Sequence, residues 1–450
     1  MDRERVLHQC VQLYALQPER LSKQVRIEQA LRQAIIQQWP GGLRLPSHRA
    51  LAEAFGVARQ TLALAMATLQ EERLLTTGHG QGTWTCKPSA PAHEPPLPPR
   101  LSRRAQRVLQ GPGASMIQSG AFVPGIPDIA QFPMRKWRQL YASVTVPQNA
   151  LLLSYSTGGY GPLKRAIREF LARWRNIHCG TEQIIITDGT HNGIELCAVA
   201  LADVGDTVAM ESPCYWGARN VFTAAGLNIE MLPWRPEAGH ALPATPGPVA
   251  LAYLTGSHHY PLSVPTSAEH KQRLCEALSP TYVVEDDYEF NRDDHPNLLF
   301  DAHSERHLLV GSFSKMMFPG LRLGYLVGDE TFIREVRSLR ASVLRHPPGH
   351  VQRTTAHFLA LGHYDALMRR QARALHQRRE AMEAAITAQG LEVAGLPGVG
   401  GSSFWLRAPE RMDTIRLFER LQEQSVLIEP GHNFFAGPSV PRNFYRLGYS

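Results

Sequence analysis

Leu308-Leu309-Val310-Gly311-Ser312-Phe313-Ser314-Lys315, followed by Pro319-Gly320-Leu321-Arg322-Leu323-Gly324-Tyr325, reads as a strand, a lysine just past its end, a turn and a second strand, Gly324–Val327. Upstream, further strand-like segments cover Gln183–Thr187, Thr207–Met210, Val249–Leu254 and Tyr282–Glu285. Helical patterns such as His191–Leu201 and Ala268–Leu278 fall between them. Strands alternating with helices predict an α/β sheet with crossover helices. From about His363 the pattern changes to long charged helices, then short strands near Ser402–Leu406 and Phe444–Gly448, which predicts a smaller α+β subdomain.

The residues at these strand ends meet four chemical demands together. Pyridoxal phosphate needs a lysine for its Schiff base, a carboxylate facing its pyridine nitrogen, a donor-rich cationic cup for its phosphate, and an aromatic ring against its heterocycle. Lys315 supplies the first. Glu285-Asp286-Asp287-Tyr288 ends a strand, and three adjacent acids repel unless a cation or protonated ring shares them. Gly189-Thr190-His191 opens an apolar helix whose backbone amides suit a phosphate, and Ser312, Ser314 and Arg322 can complete the cup. Tyr215 is a candidate stacking ring. A lone lysine after a strand is usually on the surface; the joint order of cup, aromatic, acids, lysine and arginine is what carries the reading.

The first 86 residues differ in kind. Leu21 to Gln38 has helical spacing and stops at Pro40-Gly41-Gly42; Ser47 caps a second helix ended by Gly56; a third runs from about Arg59 to Glu72. Leu74–Thr77 and Thr83–Thr85 then flank a glycine-rich turn through Gly80 and Gly82, a hairpin signal. Three helices and a wing make a groove-reading device. Arg59, Gln60 and Thr61 stand at the start of the third helix, where Arg and Gln can read base edges, while Ser47 and Arg49 open the second, where phosphates bind. The formal charge of +7 favours an anionic partner without naming one.

Between these parts, Lys87 to Arg104 holds six prolines, a semi-stiff spacer. The expected domains are therefore 15–86, a linker over 87–115, and 116–450. Apolar residues make up 43%, ordinary for a globular chain, and no run reaches the ~18 apolar residues of a membrane span. The charged start shows no signal peptide. Six scattered cysteines without a Cys-x-x-Cys pair predict neither a disulfide framework nor a metal site, and a cytoplasmic location fits.

Leu45-Pro46-Ser47-x-Arg49-x-Leu51-Ala52, Gly56-Val57-x-Arg59-x-Thr61 and Gly80-x-Gly82-Thr83 resemble the GntR-family winged helix-turn-helix. Ala58 departs from the family's usual Ser at the recognition-helix cap. Tyr155…Gly161-Pro162-Leu163-Lys164, Gln183–Gly189, Glu285–Tyr288, Ser312–Lys315 and Pro319–Tyr325 resemble fold-type I aminotransferases. The fusion looks like the MocR/GabR-type regulators across almost the whole chain.

That resemblance implies a fold-type I PLP-dependent transferase-like domain, with Asp286 (or Asp287, one register away) facing the pyridine nitrogen and Tyr288 on the ring hydroxyl. It implies Tyr155 reaching the partner subunit's phosphate in a homodimer, and Arg446 gripping an effector carboxylate. Thr255 to Ser263 departs from the family's usual Thr-Pro-Ser-His-Gln-Phe-Pro-Thr-Gly, with Tyr260 where true aminotransferases often carry Asn. Family members also usually continue past Tyr449 into a further helix. The implied function is a regulator that binds operator DNA and senses a small amine or amino acid through the cofactor. A working aminotransferase with an accessory DNA-binding domain is the alternative, which the fused winged helix disfavours.

Overall fold

The computed structural model describes residues 3–18, 21–78, 82–86, 101–111, 113, 120–146, 158–235, 239–242, 247–289, 297–395, 401–437 and 439–450. The chain forms two compact units, Met1–Arg100 and Leu101–Ser450.

The first unit has four helices: α1 (Arg3–Ala15), α2 (Lys23–Gln33, extended by a π turn to Gln38), α3 (His48–Phe55) and α4 (Arg59–Glu71). A hairpin of β1 (Leu75–Gly78) and β2 (Gly82–Thr85) follows. Helix α1 is an addition to the three helices expected. Val6, Cys10 and Leu13 recur at helical spacing and are buried with Ile27, Leu31, Leu62 and Leu69. The packed unit thus begins upstream of the expected boundary at residue 15, because the apolar stripe of α1 completes its core. Ser47 caps α3, its Oγ accepting the Ala50 N–H at 3.3 Å, and Gly56 closes that helix in the left-handed region at φ 61°.

The second unit carries an eight-stranded sheet. Its strands are β3 (Ile184–Thr187), β4 (Thr207–Ser212), β5 (Asn228–Arg235), β6 (Gly239–His240), β7 (Leu251–Thr255), β10 (Tyr282–Asp287), β11 (His307–Ser312) and β12 (Gly324–Val327). The short pair β8 (His258–His259) and β9 (Val264–Pro265) lies apart from it. The order is β3-β12-β11-β10-β7-β4-β5-β6, in which β12 runs antiparallel to both neighbours and β6 to β5. The inner parallel strands β4, β7, β10 and β11 are buried on both faces, as helices packed on a parallel sheet require. Helices Thr190–Leu201 and Ala268–Leu278 stand as expected.

A 26-residue helix, His363–Ala388, leads into the smaller layer. There β13 (Glu392–Val393), β14 (Ser403–Arg407), β15 (Glu429–Pro430) and β16 (Phe444–Gly448) form an antiparallel sheet in the order β13-β14-β16-β15.

The linker expectation over 87–115 needs correction. Ser102 caps a helix, Arg103–Gln110, whose Arg104 donates to the Ala224 carbonyl at 3.5 Å. Proline enrichment stops before Leu101, so that stretch can enter the second unit. Residues 87–100 lie outside the described residues.

Helix α4 starts at Ala58 with N-cap backbone angles (φ −65°, ψ 146°) but no side-chain hydrogen bond. Ala58→Ser supplies the missing acceptor without moving the backbone. It should stabilise the first unit by about 1 kcal/mol, read as a raised urea midpoint with unchanged slope.

Candidate functional site

The three acids ending β10 are buried, and each finds a different solution. Glu285 Oε1 lies 2.8 Å from Lys271 Nζ, and its Oε2 accepts the Leu299 and Phe300 N–H groups at 2.8 and 2.6 Å. Asp287 Oδ2 takes the Arg175 guanidinium at 2.7 Å, and its Oδ1 accepts from Ser257 Oγ at 3.1 Å. Asp286 accepts only from the Tyr253 hydroxyl, at 2.6 Å on Oδ2; its Oδ1 is buried without a partner. Burial pushes its carboxyl up to about 7, against the pull of the Tyr253 hydrogen bond. Between the two registers left open by the sequence, only Asp286 has an oxygen to offer.

Lys315 follows β11, half-buried, and its Nζ donates to the Gly125 carbonyl at 3.0 Å. Burial lowers its pKa first, and the positive Arg446 adds to the effect, which favours the neutral, nucleophilic amine. Gly125 (φ +74°) is required here. A Cβ would stand 3.3 Å from Lys315 Nζ and 3.7 Å from Arg446 Nη1. Tyr288 is buried, and its hydroxyl has no partner. Its ring meets Tyr260 edge-on at 5.3 Å, and Tyr260 in turn meets Tyr215 at 5.4 Å.

Several residues expected around a phosphate lie at the start of the helix Thr190–Leu201 and just past β11. Gly189 (φ +87°) is the N-cap of the helix beginning at Thr190, and the Arg322 guanidinium packs against it while donating to the Asp188 carbonyl at 2.9 Å. Free helix N–H groups beside a guanidinium make an anion cradle. Ser312 ends β11 half-buried. Ser314 is buried, and its Oγ already accepts the Leu323 N–H at 3.2 Å. His191 is half-buried, and burial holds its imidazole below the usual value.

Arg446, on β16, is buried. Its Nε donates to Ser403 Oγ at 2.7 Å and its Nη1 to the Tyr260 hydroxyl at 3.0 Å, with the guanidinium 4.5 Å over the Tyr260 ring. A cavity lined by Lys315, Tyr288, Tyr260, Arg446, Gln371 and Arg378 joins the lysine to this arginine. Arg378 is paired with Asp128 at 2.5 Å. Tyr155 lies outside the described residues.

On the first unit, Arg49, Arg59 and Gln60 are exposed and Thr61 is half-buried at the start of α4. Gly82 opens β2 at φ +113° beside the Arg44 side chain. Gly80 lies outside the described residues.

Sequence reasoning did not find Tyr253, Lys271, Arg175, Gly125, Gln371 or Arg378. Tyr253 alone left a trace: it is the one side chain with a hydroxyl in the otherwise apolar run Leu251-Ala252-Tyr253-Leu254.

Together these features define a helix-turn-helix unit joined to a fold-type I aminotransferase-like body with a small antiparallel sheet. Residues 23–84 match the family described as bacterial regulatory proteins, gntR family, and residues 283–449 match aminotransferase class I and II. The chain is 38% identical to the HTH-type transcriptional regulator TauR of Rhodobacter capsulatus, over 95% of this chain and 93% of that protein. It is 30% identical to the probable rhizopine catabolism regulatory protein MocR of Rhizobium meliloti, over 75% and 71%. Among solved structures it resembles LysN, an α-aminoadipate aminotransferase of Thermus thermophilus, with TM-score 0.65 and 25% identity over 77% of this chain and 90% of that one. The chain belongs to the MocR-type transcription regulators of the GntR family. Among the described residues, no helix is long and apolar enough to cross a membrane.

The raised Asp286 carboxyl has a consequence for the cofactor-free chain. The folded state keeps its proton up to about pH 7 while the unfolded chain loses it near 4, so this residue's contribution to stability falls as pH rises between those values. Asp286→Asn removes that term. The variant should lose less stability between pH 5 and 8 than the parent, by on the order of 1–4 kcal/mol, as urea melts across that range would read.

Proposed function

We propose that the second unit binds pyridoxal 5′-phosphate and uses it to sense a small amine or amino acid, and that this sensing controls how a homodimer of the chain holds operator DNA through the first unit. The observation that carries the reading is a matched pair of buried, unpartnered polar atoms beside a half-buried lysine. Asp286 Oδ1 has no donor and Tyr288 Oη has no partner. A protonated pyridine nitrogen and a ring hydroxyl are complementary to those atoms, and nothing among the described residues satisfies them.

In this reading Lys315 anchors the cofactor covalently and Asp286 stabilises its protonated ring nitrogen. Tyr288 hydrogen-bonds the ring hydroxyl and Tyr215 packs on the ring. Gly189, Thr190, His191, Ser312, Ser314 and Arg322 hold the phosphate, with Tyr155 added by the partner subunit. Bound there, the cofactor supplies an electrophile that condenses with primary amines. Arg446 then receives the effector's carboxylate, a bidentate match for its guanidinium. On the first unit, Arg59, Gln60 and Thr61 face base edges, and Ser47, Arg49, Gly80 and Gly82 approach phosphates.

Two features of the Arg446 surroundings favour sensing over rapid turnover. The Tyr260 hydroxyl, in the slot where true aminotransferases often carry Asn, is already bonded to Arg446. Ser403 fixes the Nε edge of the same guanidinium. A ligand must compete with or rearrange this network, which couples occupancy to side-chain positions.

If the effector acts through Arg446, Arg446→Ala should leave visible absorbance of the bound cofactor and effector-free DNA affinity intact. It should raise the effector concentration for the spectral change and for the change in DNA affinity by one common factor, because the two are linked. A paired titration of both proteins with candidate amino acids, spectral and DNA-binding, measures this. A DNA response that ignores the spectral shift would mean that the aminotransferase-like body does not control the DNA-binding unit.

A further inference from the structure

Two strands over from the acids of β10, three segments bring Glu211, His240 and His259 together. Glu211 lies near the end of β4, His240 on the short edge strand β6, and His259 on β8. Each is at least nine-tenths buried, with relative exposures of 1%, 6% and 0%. One ligand atom from each lies within 4.8 Å of the other two.

The hydrogen bonds around them fix where the lone pairs are. Glu211 Oε2 is occupied, accepting the Thr255 N–H at 2.7 Å and its hydroxyl at 2.6 Å. Oε1 has no hydrogen-bond partner and points at His240 Nε2, 3.6 Å away. The tautomer of His240 follows from its neighbour. The His240 backbone N–H, which can only donate, reaches His270 Nε2 at 3.4 Å, so that nitrogen holds a lone pair. The same His270 Nε2 lies 3.0 Å from His240 Nδ1, which must therefore carry the proton. A neutral His240 then aims its one ring lone pair, on Nε2, at a carboxylate oxygen. Among the described residues, two acceptors face each other in a buried site with no donor between them.

His259 makes the imbalance larger. Its ring stacks on His240 with centroids 5.3 Å apart and planes at 29°, and among the described residues neither of its nitrogens has a hydrogen-bond partner. One extra proton on His240 would bridge it to Glu211 and leave both nitrogens of His259 unsatisfied. A cation that accepts three lone pairs at once satisfies Glu211 Oε1, His240 Nε2 and one nitrogen of His259.

We propose that Glu211, His240 and His259 bind a zinc ion. Two imidazoles and a carboxylate suit this metal, and small side-chain rotations would bring the three donors to about 2.0–2.2 Å from it. His270 and Thr255 stand behind the ligands, orienting His240 and Glu211 as outer partners do in zinc sites. The ligands come from positions 211, 240 and 259, so no short motif announces them. The ion ties the end of β4, which leads to Tyr215, to the loop carrying Tyr260, and its role is structural. The site stands independently of the cofactor reading.

The test uses the full chain, stripped with chelator and titrated with Zn²⁺ against a chromophoric competitor. The expected result is one zinc per chain with a Kd below about 1 μM, and a raised melting temperature. His259→Gln and Glu211→Gln should each weaken binding by more than about 100-fold, and His270→Ala by about 10–100-fold. Circular dichroism and a melt of the metal-free variants establish that they are folded. Co²⁺ in the parent, with a water as the fourth ligand, should give the visible bands of a four-coordinate nitrogen and oxygen site, absent in His259→Gln. No uptake below about 10 μM, or uptake that is the same in the parent and in folded His259→Gln and Glu211→Gln, would overturn the assignment.

Discussion

Three consecutive carboxylates at the end of a buried strand are an electrostatic problem, and the second unit is arranged around its solution. Side chains alternate along a strand, so Glu285 and Asp287 point to one face of the sheet and Asp286 to the other. On the first face Lys271 and Arg175 each neutralise one acid, and the other oxygen of each accepts from the Leu299 and Phe300 amides or from Ser257. Those bonds hold the segment near Leu299 and the loop after β7 in place. On the other face Asp286 has one phenol and one empty oxygen. An unsatisfied buried carboxylate costs stability, and such a cost is characteristic of a place built for something else to bind.

Residues that announce themselves locally were legible in the sequence. Lys315, Asp286 and Gly189 each stand at the end of an apolar strand or the start of a helix, so the pattern around them gives their place. Six of the eight sheet strands were readable as apolar segments for the same reason. β5 was not: Asn228-Ile229-Glu230-Met231-Leu232-Pro233 has no unbroken apolar run and contains a proline, which argues against a strand. It survives because it is nearly an edge, with only the two-residue β6 beyond it. Helix α1 was passed over because its charged first residues masked the Val6, Cys10, Leu13 stripe. Partners that act from a distance left no local trace. Nothing around Lys271 or Arg175 says that each meets an acid 14 or 112 positions along the chain.

The surroundings of Arg446 follow a different logic. Arg446 is buried and already bonded to Ser403 and Tyr260, whose ring also touches Tyr215 and Tyr288. A ligand entering beside Lys315 therefore meets a connected set of side chains rather than an isolated anchor. Connection alone does not make a switch. Under the proposed function an effector would have to prefer one arrangement of a dimer, since equal affinity for two states shifts neither. The exposed Arg49, Arg59 and Gln60 are the surface on which such a preference would be read.

The proposed function rests on Lys315 being the residue that holds the cofactor. Borohydride reduction of the protein loaded with pyridoxal phosphate, followed by peptide mapping, tests that claim directly. The account predicts a single labelled peptide containing Lys315 and no label in a folded Lys315→Ala variant. A label on another lysine, such as the buried Lys164 or Lys271, or labelling that persists in Lys315→Ala, would contradict it.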